Sequence, residues 1–192
     1  MSRPAFPAGQ RLWGLAAFFN PTGSPRRTEN YRAFRRELQV PLVTVELAYG
    51  PEFELGADEA DIMLRLRGRD VLWQKERLLN RALRALPAEC DTVAWLDADI
   101  IFERGDWPAL ALAALEQATM IQPFRDVREQ AGAEVPSGST GRQSLAFRVT
   151  EGALAPTAIA TARLANAWRC AAGLAWVARR EVLELHGRDL AA

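Results

Sequence analysis

The chain has 192 residues, 49% of them apolar, enough to enclose the core of a single domain. Lysine plus arginine and aspartate plus glutamate balance at 24 each, which argues against a globally basic nucleic-acid surface. Cys90 and Cys170 make neither a disulfide framework nor a metal-ligand spacing, and no apolar stretch reaches the about 20 residues that span a bilayer, so the reading is a cytoplasmic chain with both cysteines in its core.

Leu12 to Phe19 is an apolar run too short, and too poor in cleavage signals, for a signal peptide; it reads as a first buried strand. Asn20-Pro21-Thr22-Gly23-Ser24-Pro25 stops it with turn residues. Thr28 is placed to cap a helix running to about Gln39, with Tyr31, Phe34 and Leu38 on one face and Pro41 closing it. Leu42 to Leu47 follows as a second strand, with Glu46 near its end. Asp70 is placed to cap a longer helix in which Leu72, Leu79, Leu83 and Leu86 share a stripe, ended by Pro87. Val93 to Phe102 reads as a strand, and Asp106 then caps a helix with Pro108 in its first turn, where a missing N–H is harmless.

Met120 to Phe124 is a further short strand. Residues 125–158 carry several Gly, Ser, Thr and Pro without periodicity and read as a mobile loop able to close over a ligand, with a disordered insertion or a short hairpin as the alternative. A helix over Ile159 to Arg169, a strand over Gly173 to Ala178 and a helix over Arg180 to Leu185 complete the order. The alternation predicts an α/β fold, one domain over 1–192, around a mostly parallel sheet.

The run Val93-Ala94-Trp95-Leu96-Asp97-Ala98-Asp99-Ile100-Ile101-Phe102 drives two carboxylates into an apolar segment. Buried Asp side chains are usually paired or bound to a metal. In an extended chain Asp97 and Asp99 point the same way, forming a pair suited to a hard dication and the phosphates it carries. The competing reading places one Asp in a turn and the other in water, since D-x-D is short and common. Lys75, the only lysine, lies on the helix preceding this strand.

A first strand ending in Asn20-Pro21, a second ending near Glu46, Trp73-Gln74-Lys75-Glu76-Arg77-Leu78-Leu79-Asn80 on a helix, and Trp95-Leu96-Asp97-Ala98-Asp99 together resemble GT-A nucleotide-sugar glycosyltransferases of the family 2-like group. Gln122-Pro123-Phe124 and Gly173-Leu174-Ala175-Trp176 extend the resemblance across about residues 11 to 187. It implies a GT-A-like three-layer sandwich and transfer of a sugar from a nucleotide-diphosphate donor to a saccharide, lipid or protein acceptor. The same resemblance makes Mn²⁺ or Mg²⁺ the cofactor, with Asp99 as metal ligand and Asp97 facing the ribose or a metal-bound water. Asn20 and Glu46 would contact the nucleoside, Lys75 a phosphate, and Trp176 the sugar or acceptor pocket. For each there is a plainer reading: turn chemistry for Asn20, a strand end for Glu46, a solvated face for Lys75 and core packing for Trp176.

The C-terminal acceptor part is short or truncated by comparison with that pattern. Asp189 is the one acidic residue after the last helix and so the candidate base, at a position prone to fray. His186, the only histidine, sits at a helix end and reads as a dipole or capping residue rather than a ligand. The alternatives are a catalytically weak or inactive nucleotide-sugar binding module, and a nucleotidyltransferase, whose phosphate loop Gly23, Arg26 and Arg27 half supply. An aspartyl phosphatase would carry its D-x-D after the first strand, which counts against it.

Overall fold

The computed structural model describes residues 11–69, 71, 74–128, 141–155, 157 and 170–187, the last three of these by their backbone. Its elements run β1 (Leu12–Phe19), α1 (Pro25–Glu37), β2 (Leu42–Ala48), β3 (Ile62–Arg67), α2 (Lys75–Arg84), β4 (Thr92–Leu96), α3 (Trp107–Ala114), β5 (Met120–Ile121), β6 (Asp126–Val127), β7 (Arg142–Ser144), α4 (Leu145–Thr150), β8 (Cys170–Ala171), β9 (Ala175–Arg179) and α5 (Arg180–Gly187). Six strands form the central sheet in the order β3-β2-β1-β4-β9-β5, and β6-β7-β8 form a small second sheet. Strands β3, β2, β1 and β4 are mutually parallel, and β9 runs antiparallel between β4 and β5. This is the mixed, mostly parallel sheet of a GT-A-like sandwich.

Strand periodicity sorts the core into two layers. On one face Leu12, Ala16 and Phe18 of β1 meet Tyr31 and Phe34 of α1 and Trp107 and Ala111 of α3. On the other face Leu15, Val43, Val45, Leu47 and Val93 meet Leu78, Leu79, Ala82 and Leu83 of α2 and Leu183 of α5. Each fully buried Leu, Val or Phe among them contributes about 1.5–3 kcal/mol relative to exposure. Gly14, mid-strand in β1, lets the first layer close against it. A Cβ there would stand 3.2 Å from both Leu42 Cδ1 and Leu96 Cδ1.

Several boundaries differ from the sequence reading for local reasons. Helix α1 begins at Pro25, whose fixed φ suits a first turn, so Thr28 lies inside the helix, buried, with its hydroxyl donating to Glu54 Oε2 at 2.7 Å. Helix α2 is shorter than expected and starts at Lys75; Asp70, Leu72 and Trp73 lie outside the described residues. Strand β3, unforeseen, pairs in register with β2, and the crossover between them over residues 49–61 is not helical. It is held instead by side chains. Leu42 N donates to Asp61 Oδ2 at 2.8 Å, Gly56 N to Glu59 Oε2 at 2.6 Å, and Arg65 Nη2 to the Leu55 carbonyl at 2.6 Å.

Strand β4 ends at Leu96, before the aspartates. The apolar run continues because Ala98, Ile100 and Phe102 fold back onto the α1/α3 layer, and Phe102 stacks on Trp107 with ring centroids 4.2 Å apart. Segment 125–158 contributes β6, β7 and α4 on either side of residues outside the description. The expected helix over 159–169 also lies outside it, whereas β9 and α5 appear where expected and Cys90 and Cys170 are buried, free thiols. Among the described residues no helix is long and apolar enough to cross a membrane.

Candidate functional site

The chain lays down β1, β2 and β3 in one direction across the sheet and then returns to the far side of β1 with β4. Such a reversal, here outside the carboxyl ends of β1 and β4, is the place where open α/β sheets bind ligands. Asn20 leaves β1 at this edge and Asp97 leaves β4 beside it.

Asp97 and Asp99 follow β4 in a turn rather than an extended strand. The backbone N–H of Asp97 donates to the Leu174 carbonyl at 2.7 Å, extending the β4–β9 pairing by one step. Its carboxylate pairs with Lys75 Nζ, which reaches over from the first residue of α2. Asp99 is more exposed. Loss of hydration, and then the like charge of Asp97, push its carboxyl above the ordinary range, while Lys75 and Arg27 pull it down. The structure thus gathers Arg27, Lys75, Asp97 and Asp99 at one corner. Arg27 is fixed there by donating from Nη1 to the Phe19 carbonyl at 2.8 Å and by lying over the Phe19 ring.

Asn20 and Glu46 belong to an adjoining rim. Asn20 is buried: its Nδ2 donates to Ser24 O at 3.0 Å and Glu54 Oε2 at 2.8 Å, and its Oδ1 accepts from Ser24 N at 2.9 Å. Glu46 is 2% exposed, and its Oε1 accepts from the backbone N–H groups of Glu54 at 2.5 Å and Leu55 at 3.2 Å. Burial raises the Glu46 carboxyl above its usual value, against the lowering effect of those two bonds and of Arg65, 3.9 Å from Oε2. The two residues therefore meet through one loop. Glu54 escaped sequence reasoning, because a residue that acts through single hydrogen bonds to Asn20 and Thr28 from a turn-rich stretch carries no periodic signal.

Trp176 lies opposite Trp95 across the β4–β9 pair and donates from Nε1 to the Ala172 carbonyl at 2.8 Å. It stands on the next strand from the aspartates, half-buried. Asp189 lies outside the described residues, and His186 falls in the last turn of α5. Among the described residues no group of three or more His, Cys, Asp or Glu side chains gathers into a cage. Two neighbouring carboxylates nevertheless fit Mn²⁺ or Mg²⁺ bound together with a polyphosphate, since such ions commonly take one or two protein carboxylates and complete their shell with phosphate oxygens and water. A dication there would reverse the unfavourable charge that Asp97 and Asp99 impose on each other.

The sequence matches no protein-family model, and no curated protein matches it. Among solved structures the chain is similar to 4-diphosphocytidyl-2C-methyl-D-erythritol synthase from Anaerococcus prevotii, at a TM-score of 0.52 and 9% identity, over 96% of this chain and 77% of that one. It overlaps less closely with the mannosyltransferase PcManGT from Pyrobaculum calidifontis, solved with GDP-Man and Mn²⁺, at a TM-score of 0.39 and 16% identity, over 62% of this chain and 36% of that one. A structure described as a nucleotide-diphospho-sugar transferase from Desulfovibrio desulfuricans gives a TM-score of 0.37 and 14% identity, over 57% and 56% of the two chains. At such identities the likeness is one of fold. That fold is an α/β, GT-A-like sandwich around a mixed, mostly parallel sheet.

Proposed function

We propose that the corner where β1 and β4 end binds the diphosphate of a nucleotide sugar together with Mn²⁺ or Mg²⁺, and that the chain serves as a nucleotide-sugar binding module. The observation that carries this reading is the convergence of Asp97, Asp99, Lys75 and Arg27 at the reversal of strand order. In it Asp99 ligates the ion and Asp97 faces the ribose or a metal-bound water. Lys75 holds Asp97 in place and lies within reach of a phosphate, with Arg27 at the same corner. Asn20 and Glu46 shape the nucleoside rim through the Glu54 loop, and Trp176 walls the sugar or acceptor side.

A dication on a diphosphate also supplies the Lewis acid that makes it a leaving group. Glycosyl transfer would need, in addition, a base for the acceptor hydroxyl, for which Asp189 is the sequence candidate. Nucleotidyl transfer is the second reading. It is favoured by the fold similarity to the Anaerococcus synthase over nearly the whole chain, and by Arg26 and Arg27 in the first turn of α1, just after Gly23 of the loop that follows β1.

Calorimetric titration of UDP, GDP and CDP with and without Mn²⁺ tests the binding reading. At least one should bind about tenfold or more tightly with the metal, and Asp99→Asn should remove that gain. Equal affinity in the presence and absence of metal, or an unaffected variant, overturns it. Pyrophosphate release from a nucleoside triphosphate and a sugar phosphate would identify nucleotidyl transfer, and metal-dependent transfer of sugar to an added acceptor would identify a glycosyltransferase.

A further inference from the structure

The corner that gathers Asp97 and Asp99 is already supplied with cations by the chain itself. Lys75 Nζ pairs with Asp97 Oδ1, and the two side chains are 24% and 28% exposed, so the pair is partly withdrawn from the water that weakens an ion pair on the open surface. The charges of Lys75 and Arg27 also act on Asp99. Two carboxylates thus face two cations, and the formal charges of these four side chains cancel.

The members of the Lys75–Asp97 pair differ in freedom. Asp97 is fixed to the sheet, following directly on β4 and donating its backbone N–H to the Leu174 carbonyl at 2.7 Å. Lys75, the first residue of α2 and the only lysine of the chain, carries its ammonium on a flexible four-carbon stem that can turn to another partner without moving the helix. A cation at a helix start works against the helix dipole, so pairing with Asp97, rather than the stability of α2, accounts for Lys75 at this position. Arg27, by contrast, is tied to the Phe19 carbonyl and ring. A dication arriving alone would meet a neutral corner and would have to displace an ammonium from one of its two carboxylates. A diphosphate reverses both conditions, because it brings negative charge and its oxygens offer the Lys75 ammonium a partner in exchange for Asp97.

We propose that Lys75 is a built-in counter-ion that keeps a lone divalent ion out of this site: it occupies Asp97 until a diphosphate draws its ammonium away, so that ion and nucleotide are taken up together. This rests on the reading of the corner as a metal–diphosphate site and adds the coupling between its two ligands.

Electron paramagnetic resonance of Mn²⁺ titrated alone into the full chain tests it, since the signal of the free aquo ion falls as the ion binds. The parent should bind Mn²⁺ weakly, and Lys75→Met about tenfold or more tightly. Lys75→Gln should repeat that gain with a polar side chain, and Lys75→Arg, which keeps the charge, should stay with the parent; far-UV circular dichroism checks that each variant folds. In parallel, Mn²⁺ should tighten the binding of at least one of UDP, GDP and CDP to the parent. If it tightens none, the metal–diphosphate reading fails and this proposal with it. If it does, but the folded neutral variants hold Mn²⁺ no better than the parent, the site stands and the counter-ion proposal falls. The proposal falls equally if Lys75→Arg binds Mn²⁺ as tightly as the neutral variants, or if the parent binds Mn²⁺ alone as tightly as it does with nucleotide.

Discussion

Glu46 shows how a strand-end carboxylate spends its capacity inside the protein. One oxygen holds the 54–55 turn, and the other, buried, has no hydrogen-bond partner. Because its folded carboxyl titrates above the ordinary value of 4.5, the folded state binds the proton more tightly than the unfolded chain does. The resulting contribution is fully present below that value and is lost as pH rises through the folded pKa. Glu46→Gln keeps an acceptor for the two backbone N–H groups and discards the buried charge. Urea denaturation at about pH 4.5 and about pH 8 should therefore show the variant gaining on the parent as pH rises. A difference that is constant, or that moves the other way, would sink this account. Asp97 and Asp99 stood out in the sequence because charge in an apolar run is conspicuous. The loop that Glu46 and Asn20 hold was invisible there, since one-to-one bonds to backbone groups leave no pattern in the residues.

Among the elements, those with a long apolar period were legible and those held by side-chain-to-backbone bonds were not. Strand β1 and the Tyr31, Phe34 and Leu38 face of α1 follow directly from spacing. Strand β3 alternates Leu64, Leu66 against Arg65, Arg67, yet it is short and only half-buried, and residues 49–61 join it to β2 without the helix that usually marks a parallel crossover. The turn into β9 is similar. Leu174 adopts φ 74°, a left-handed conformation costing a non-glycine residue about 1–2 kcal/mol, and in it directs its carbonyl at the N–H of Asp97. Leu174→Val puts a β-branched residue in that conformation and should destabilise the protein by about 1–3 kcal/mol. Leu174→Gly relieves the strain but gives up apolar contact and gains unfolded-state freedom, so it should stay within about 1 kcal/mol of the parent. Chemical denaturation of both variants decides this, and a valine variant as stable as the glycine one would mean the turn carries no such strain.

At the scale of the whole molecule, one buried side chain ties the small sheet to the large one. Gln122, 8% exposed just after β5, donates from Nε2 to the Ala171 carbonyl at 2.9 Å and accepts on Oε1 from the N–H of Ala146 at 2.8 Å. Ala171 belongs to β8 and leads through Gly173 to Leu174, whose carbonyl holds Asp97; Ala146 belongs to α4, capped by Ser144 of β7. The second sheet contributes only two or three residues per strand and little apolar burial, so its order should depend on this junction more than the central strands do. Gln122→Leu keeps the bulk and leaves the Ala146 N–H without a partner, a loss of about 1–3 kcal/mol for a buried donor. Hydrogen exchange should then speed up at Ser144, Ala146 and Phe147 while Leu15, Val43 and Val45, in the parallel heart of the central sheet, keep their protection. If all six amides lost protection equally, the two sheets would open as one cooperative unit. If none did, Gln122 would not be the tie, and the orientation of the Leu174 carbonyl toward Asp97 would have to rest on the β4–β9 pairing alone.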